Sequence, residues 1–116
     1  MIFENLQDCK KTLKEYRRIR NVVRNYTEYE KNHGLNETDR GILEYNLKKV
    51  ENLTQRVKTF IENIDDEYIR SIFCMRYLSG YSWDRVDVFF GGVSSTDCYR
   101  NACTRFLQKY FHSNRE

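Results

Sequence analysis

The sequence predicts an all-α fold, and three observations predict it. There is no proline and only five glycines among 116 residues, a composition that suits long helices and disfavours an all-β chain. Apolar residues recur at three- and four-residue steps through two long stretches. A third stretch, residues 65–111, breaks into three helix-sized pieces at Ser79-Gly80 and Gly91-Gly92.

In the first stretch, from Phe3 to about Tyr29, the apolar positions are Leu6, Cys9, Leu13, Tyr16, Ile19, Val23 and Tyr26, close to a heptad seam. Gly34 is the expected terminator of this helix, and Asn36 the expected cap of the next. That second helix carries Leu43, Leu47, Val50, Leu53, Val57, Phe60 and Ile64. Two seams of similar length joined by a short Gly/Asn connection predict an antiparallel, coiled-coil-like helical hairpin over residues 1–64. Each helix is marginal alone, so their pairing is what makes them form.

The third stretch opens on Asp65, Asp66 and Glu67, whose carboxylates satisfy free amides and oppose the helix dipole. Ile69, Ile72 and Phe73 share a face of the helix that follows, and Ser79-Gly80 ends it. Ser82 caps a second helix bearing Trp83, Val86 and Phe90. After Gly91-Gly92, Ser94 with Asp97 three residues on has the form of a capping box for a third helix. There Tyr99, Ala102, Cys103, Phe106 and Tyr110 make an inward stripe. Asp97, Arg100, Asn101, Thr104, Arg105 and Gln108 fall on the other side. This spacing predicts a helix-turn-helix unit over 65–111, with residues 112–116 as a frayed tail.

The polar side of the third helix has the donors and acceptors that read base edges and hold phosphates. The candidate DNA-binding residues are Ser95, Thr96, Arg100, Asn101, Thr104 and Arg105. A solvated surface face is the alternative, and Asp97 weighs mildly against DNA. The aromatic residues Tyr77, Tyr81, Trp83 and Phe89 form a second candidate surface, for a protein partner, with plain core as their alternative.

Charge constrains function less than pattern does. Residues 1–34 carry eight Lys and Arg against five Asp and Glu, whereas residues 65–116 carry seven of each. The reading half is therefore neutral overall, which fits a module drawing affinity from a partner or a homodimer. The basic side of the first helix reads either as a solvated coiled-coil exterior or as a phosphate-contacting stripe.

Cys9, Cys74, Cys98 and Cys103 form no CxxC pair, and His33 and His112 stand apart. No metal or other cofactor is expected, and the thiols read as reduced. No Gly-rich phosphate loop and no nucleophile–base arrangement appears, so the chain reads as a non-enzyme. No apolar run approaches the roughly 20 residues that span a bilayer. With no signal core at the start, a cytoplasmic protein is expected. The sequons at Asn25, Asn36 and Asn52 are then chance matches.

The segment RSIFCMRYLSGYSWDRV resembles small phage-encoded transcription regulators of the ArpU/RinA type, whose C-terminal half is similar to region 4 of bacterial sigma factors. Arg76-Tyr77, Gly80, Ser82-Trp83, Val86 and Gly91 carry the resemblance, with Arg105-Phe106-Leu107 in the place of the usual R-A-L. It covers about residues 60–111 by motif, and residues 1–60 only in helical character. It implies a DNA-binding phage regulator acting on double-stranded DNA, with RNA polymerase or another host protein as a further partner. Two positions depart from the pattern: Asp87 and Phe106 each stand where a small Ala is usual. Both departures are compatible with a scaffold reused as a protein-binding module, such as an inhibitor of a host defence nuclease or of RNA polymerase.

Overall fold

The computed structural model of the chain describes residues 2–92 and 94–113. Among these the fold is all-α, with no strand. The elements are α1 (Leu6–His33), α2 (Glu37–Glu62), α3 (Glu67–Phe73) running into a π-helical turn (Cys74–Leu78), α4 (Trp83–Phe89) and α5 (Thr96–Ser113). No helix among the described residues is long and apolar enough to cross a membrane.

Short polar side chains start four of these helices by accepting a backbone N–H. Asn5 takes that of Asp8 at 2.9 Å, Asn36 that of Asp39 at 2.8 Å, Asp66 that of Ile69 at 3.0 Å and Ser82 that of Arg85 at 3.2 Å. Gly34 ends α1 at φ 73°, donating its N–H to the Glu30 carbonyl. Gly91 and Gly92 turn the chain from α4 to α5 at φ 104° and 68°, values that favour glycine.

Contacts along α1 and α2 run in opposite senses. Phe3 meets Phe60, Tyr16 meets Thr54, and Glu30 meets Arg40. The seam of α2 differs from the expected one in two ways: Leu47 is exposed with Asn46 buried in its stead, and Ile61 is buried beside Phe60. The occupied positions 43, 46, 50, 53, 57, 60 and 64 alternate steps of three and four, and Leu47 lies one residue off that line. Asn46 tolerates burial by donating to the Ile42 carbonyl of its own helix at 2.8 Å.

One apolar core joins all these segments. It runs from Phe3, Cys9, Leu13 and Tyr16 through Val57, Phe60, Ile61 and Ile64 to Ile72, Phe73, Val86, Tyr99, Cys103, Leu107 and Phe111. The far part of the α1–α2 pair projects beyond it, leaving Tyr29, Ile42 and Tyr45 exposed. The radius of gyration of 16.1 Å reflects that projection, since a compact chain of this length gives about 13 Å.

Two further expectations change at the ends of α5. It begins at Thr96, so Ser94 does not cap it, and the Ser94 N–H is instead directed at Asp87 Oδ1 at 3.4 Å. At the other end α5 continues through His112 and Ser113, into the stretch expected to fray, while residues 114–116 lie outside the described residues.

Candidate nucleic-acid interface

The candidate surface is the outward side of α5, and the opposite side of the helix fixes its orientation. Tyr99, Cys103, Leu107 and Phe111 recur every four residues and are buried. Phe106 is half-buried and packs edge-on to Phe73 with ring centres 5.8 Å apart. The ring is thus accommodated within an aromatic group rather than left in solvent.

Asp87 sets the angle between α4 and α5. Its Oδ1 accepts from the Tyr99 hydroxyl at 2.7 Å and its carbonyl accepts the N–H of Gly92 at 2.8 Å. The acid that departs from the small-residue pattern therefore has bonding partners on both sides of the turn, and its burial is compensated. The accepting carboxylate, and after it burial, hold the Tyr99 hydroxyl above its usual pKa.

Of the residues expected to bind DNA, Ser95, Arg100, Asn101 and Arg105 are exposed, while Thr96 and Thr104 are half-buried. Asn101 and Arg105 stand one turn apart, opposite the buried stripe. Arg100 lies on the flank of that face and pairs with Asp97 at 3.5 Å. Exposed pairs of this kind contribute little and exchange readily. Thr104 Oγ1 donates to the Arg100 carbonyl at 3.0 Å, which leaves the hydroxyl its lone pairs for an outside donor. Asn101 and Arg105 thus hold the exposed side of α5, whereas Thr96 and Thr104 are half-buried and Ser95 precedes the helix.

The aromatic candidates separate. Tyr77 packs against Phe73 at 5.7 Å, and burial pushes its hydroxyl up to about 12. Trp83 is half-buried beneath the Arg76 guanidinium, 4.4 Å from the ring centre. Tyr81 stacks on Phe89 at 5.4 Å with Arg85 over its other side. Phe89 remains 56 % exposed and Val88 70 % exposed, so this end of α4 is the open apolar part.

Arg17 and Arg20 were not singled out by the sequence beyond their share of a basic helix side. Arg17 donates to the carbonyls of Arg76 and Tyr81 at 3.1 and 3.3 Å. Arg20 donates to the carbonyl of Tyr77 at 2.7 Å and to that of Leu78. A helix end leaves its last carbonyls without intrahelical donors, and a cation there also complements the dipole. These two side chains of α1 supply the donors for the end of the π-helical turn. A signal existed: Arg17, Arg20 and Arg24 each follow a seam residue (Tyr16, Ile19, Val23) by one position.

The same region concentrates positive charge. Burial lowers the Arg76 guanidinium from its usual value, Arg17 adds to that effect, and Arg100 is close enough to contribute. Burial likewise lowers Arg17, opposed by Tyr77 and reinforced by Arg24 and Arg20. The buried Nε of Arg76 has no hydrogen-bond partner. Among the described residues no group of three or more His, Cys, Asp or Glu is placed to hold a metal ion.

In comparison with known proteins, no family model matches the chain, and no curated protein or solved structure gives a significant match.

Proposed function

We propose that the chain is a phage-type transcription regulator that binds double-stranded DNA through a sigma region 4-like helix-turn-helix, with α4 and α5 as its two helices and the α1–α2 hairpin as its stalk. One observation carries this reading: Asn101 and Arg105 are exposed on the side of α5 opposite its buried stripe, with exposed Arg100 on the flank and exposed Ser95 just before the helix. In a major groove, Asn101 offers a bidentate amide to adenine and Arg105 a fork to guanine. Arg100, on the flank, serves a phosphate. Affinity drawn from phosphates falls steeply with added salt, and a homodimer or RNA polymerase would supplement it. The test is gel-shift titration of duplex promoter DNA with the parent and with Arg100→Ala/Arg105→Ala. A double variant that binds as well as the parent overturns the assignment.

A second reading rests on the exposed end of α4. Val88 and Phe89, beside the Tyr81 ring, offer the apolar and aromatic contact typical of a protein-binding hot spot. In that reading the scaffold captures a host protein. Capture that survives nuclease treatment and is lost in Phe89→Ala distinguishes it from binding through DNA.

A further inference from the structure

The arginines that α1 turns toward the π-helical turn have no acidic counterpart. Arg17 and Arg76 converge from different elements on the Tyr81 carbonyl, with Nη1 atoms at 3.3 and 3.2 Å. Arg20 sits on the neighbouring carbonyls of Tyr77 and Leu78. Arg24, one turn further along, is exposed and bonds only to Asn21 of its own helix, at 3.2 Å. Carbonyls satisfy donors but neutralise no charge. Among the described residues, no carboxylate oxygen comes within 4.0 Å of any of these four guanidiniums. The groups that act on Arg17 and Arg76 are Tyr77, Cys103 and other arginines, with no Asp or Glu among them.

Like charges gathered without counterions repel one another, and an anion laid across them relieves that repulsion. The donors for it exist. A guanidinium has five N–H groups, and the hydrogen bonds that Arg17 and Arg20 make to the protein all come from Nη1, the Arg20 guanidinium also lying 5.6 Å from the Tyr16 ring centre. The dimensions favour an extended anion over a single ion. From Arg17 to Arg24 is about 10 Å of helix axis at about 1.5 Å per residue, the rise of about three phosphates along one DNA strand.

We propose that Arg17, Arg20 and Arg24, with Arg76 beside them, form a phosphate track that lays the sugar-phosphate backbone of duplex DNA along α1. This rests on the DNA-binding reading and adds to it a sequence-independent surface supplied by the stalk.

The test is fluorescence anisotropy of a labelled random-sequence duplex titrated with the full chain over a series of KCl concentrations. Each lost phosphate contact flattens the plot of log affinity against log salt by about 0.9. Arg24→Gln is expected to lower the slope by about 0.9 and Arg20→Gln/Arg24→Gln by about 1.8. Lys58→Gln, which removes the same charge from the exposed side of α2, should leave it unchanged. Arg20 also serves carbonyls, so circular dichroism melting accompanies the double variant, and Arg24→Gln alone decides if that variant does not fold. A slope unchanged by Arg24→Gln, or lowered equally by Lys58→Gln, overturns the track while leaving the role of α5 intact. A parent chain that binds no duplex overturns both.

Discussion

The Tyr99 hydroxyl donates to Asp87 Oδ1 across 2.7 Å, and this bond ties α5 to α4 where the chain turns between them. Removing the acceptor takes from the Tyr99 hydroxyl its partner on α4. Asp87→Ala is expected to destabilise the fold, because it removes this bond between α4 and α5. Tyr99→Phe should cost less, because the carboxylate it abandons is only half-buried and can rehydrate. Urea unfolding of both single variants and the double measures the coupling. A double-variant cost equal to the sum of the singles would show the two residues to be independent.

Arg20 makes a separate prediction, about local opening. Its guanidinium serves the carbonyls of Tyr77 and Leu78, at the C-terminal end of the π-helical turn. Arg20→Ala leaves those carbonyls to water and removes a cation from a helix end, a loss of about 1–2 kcal/mol. The amides that close this end, Ser79 onto Cys74 and Tyr81 onto Met75, should exchange faster in Arg20→Ala. Exchange rates unchanged there would mean that the turn holds without α1.

The local signals of this fold were plain in the sequence, because caps act over three residues. Asn36, Asp66 and Ser82 each occupy the expected N-cap. The all-α class follows from the same short-range chemistry. What stayed hidden depends on distance in space. Leu47 reads as a seam residue on hydropathy alone, and only the packed register puts Asn46 there instead. Asp87 reads as an unwelcome acid until Tyr99, twelve residues on, is folded against it. Arg17 and Arg20 read as solvent-facing charges because the carbonyls they serve lie nearly sixty residues away. The exposed polar row on α5 was legible because one helix carries all of it.

Alkaline pH should weaken the fold through groups it buries in neutral form. Burial pushes the thiols of Cys9 and Cys103 from 9.0 up to about 12, and the Tyr77 hydroxyl from 10.0 up to about 12. Between those values the unfolded chain has released protons that the folded chain keeps. Stability from these groups is therefore fully present below about pH 9 and is lost as pH rises toward 12. Urea midpoints should fall steadily across that window. At neutral pH a thiol reagent should label exposed Cys98 quickly, and Cys9 and Cys103 only as the chain opens. Rapid labelling of Cys103 in the folded chain would contradict its burial on the inward side of α5.

Phe60 tests whether stalk and head unfold as one body. Its ring meets Phe3 at 5.1 Å, Tyr110 at 5.5 Å, Phe73 at 6.2 Å and Phe111 at 6.4 Å, so one side chain on α2 touches the chain start, α3 and α5. Truncating a buried Phe costs about 3–5 kcal/mol, a large share of the about 5–15 kcal/mol that holds a domain of this size. Phe60→Ala is therefore expected to lower the melting temperature sharply. Far-ultraviolet circular dichroism, weighted by the long helices of the hairpin, and the fluorescence of Trp83 in α4 should report the same midpoint, in parent and variant alike. If the fluorescence midpoint moves while the dichroism midpoint stays, the ring cluster does not couple the two parts, and α1–α2 folds without the head.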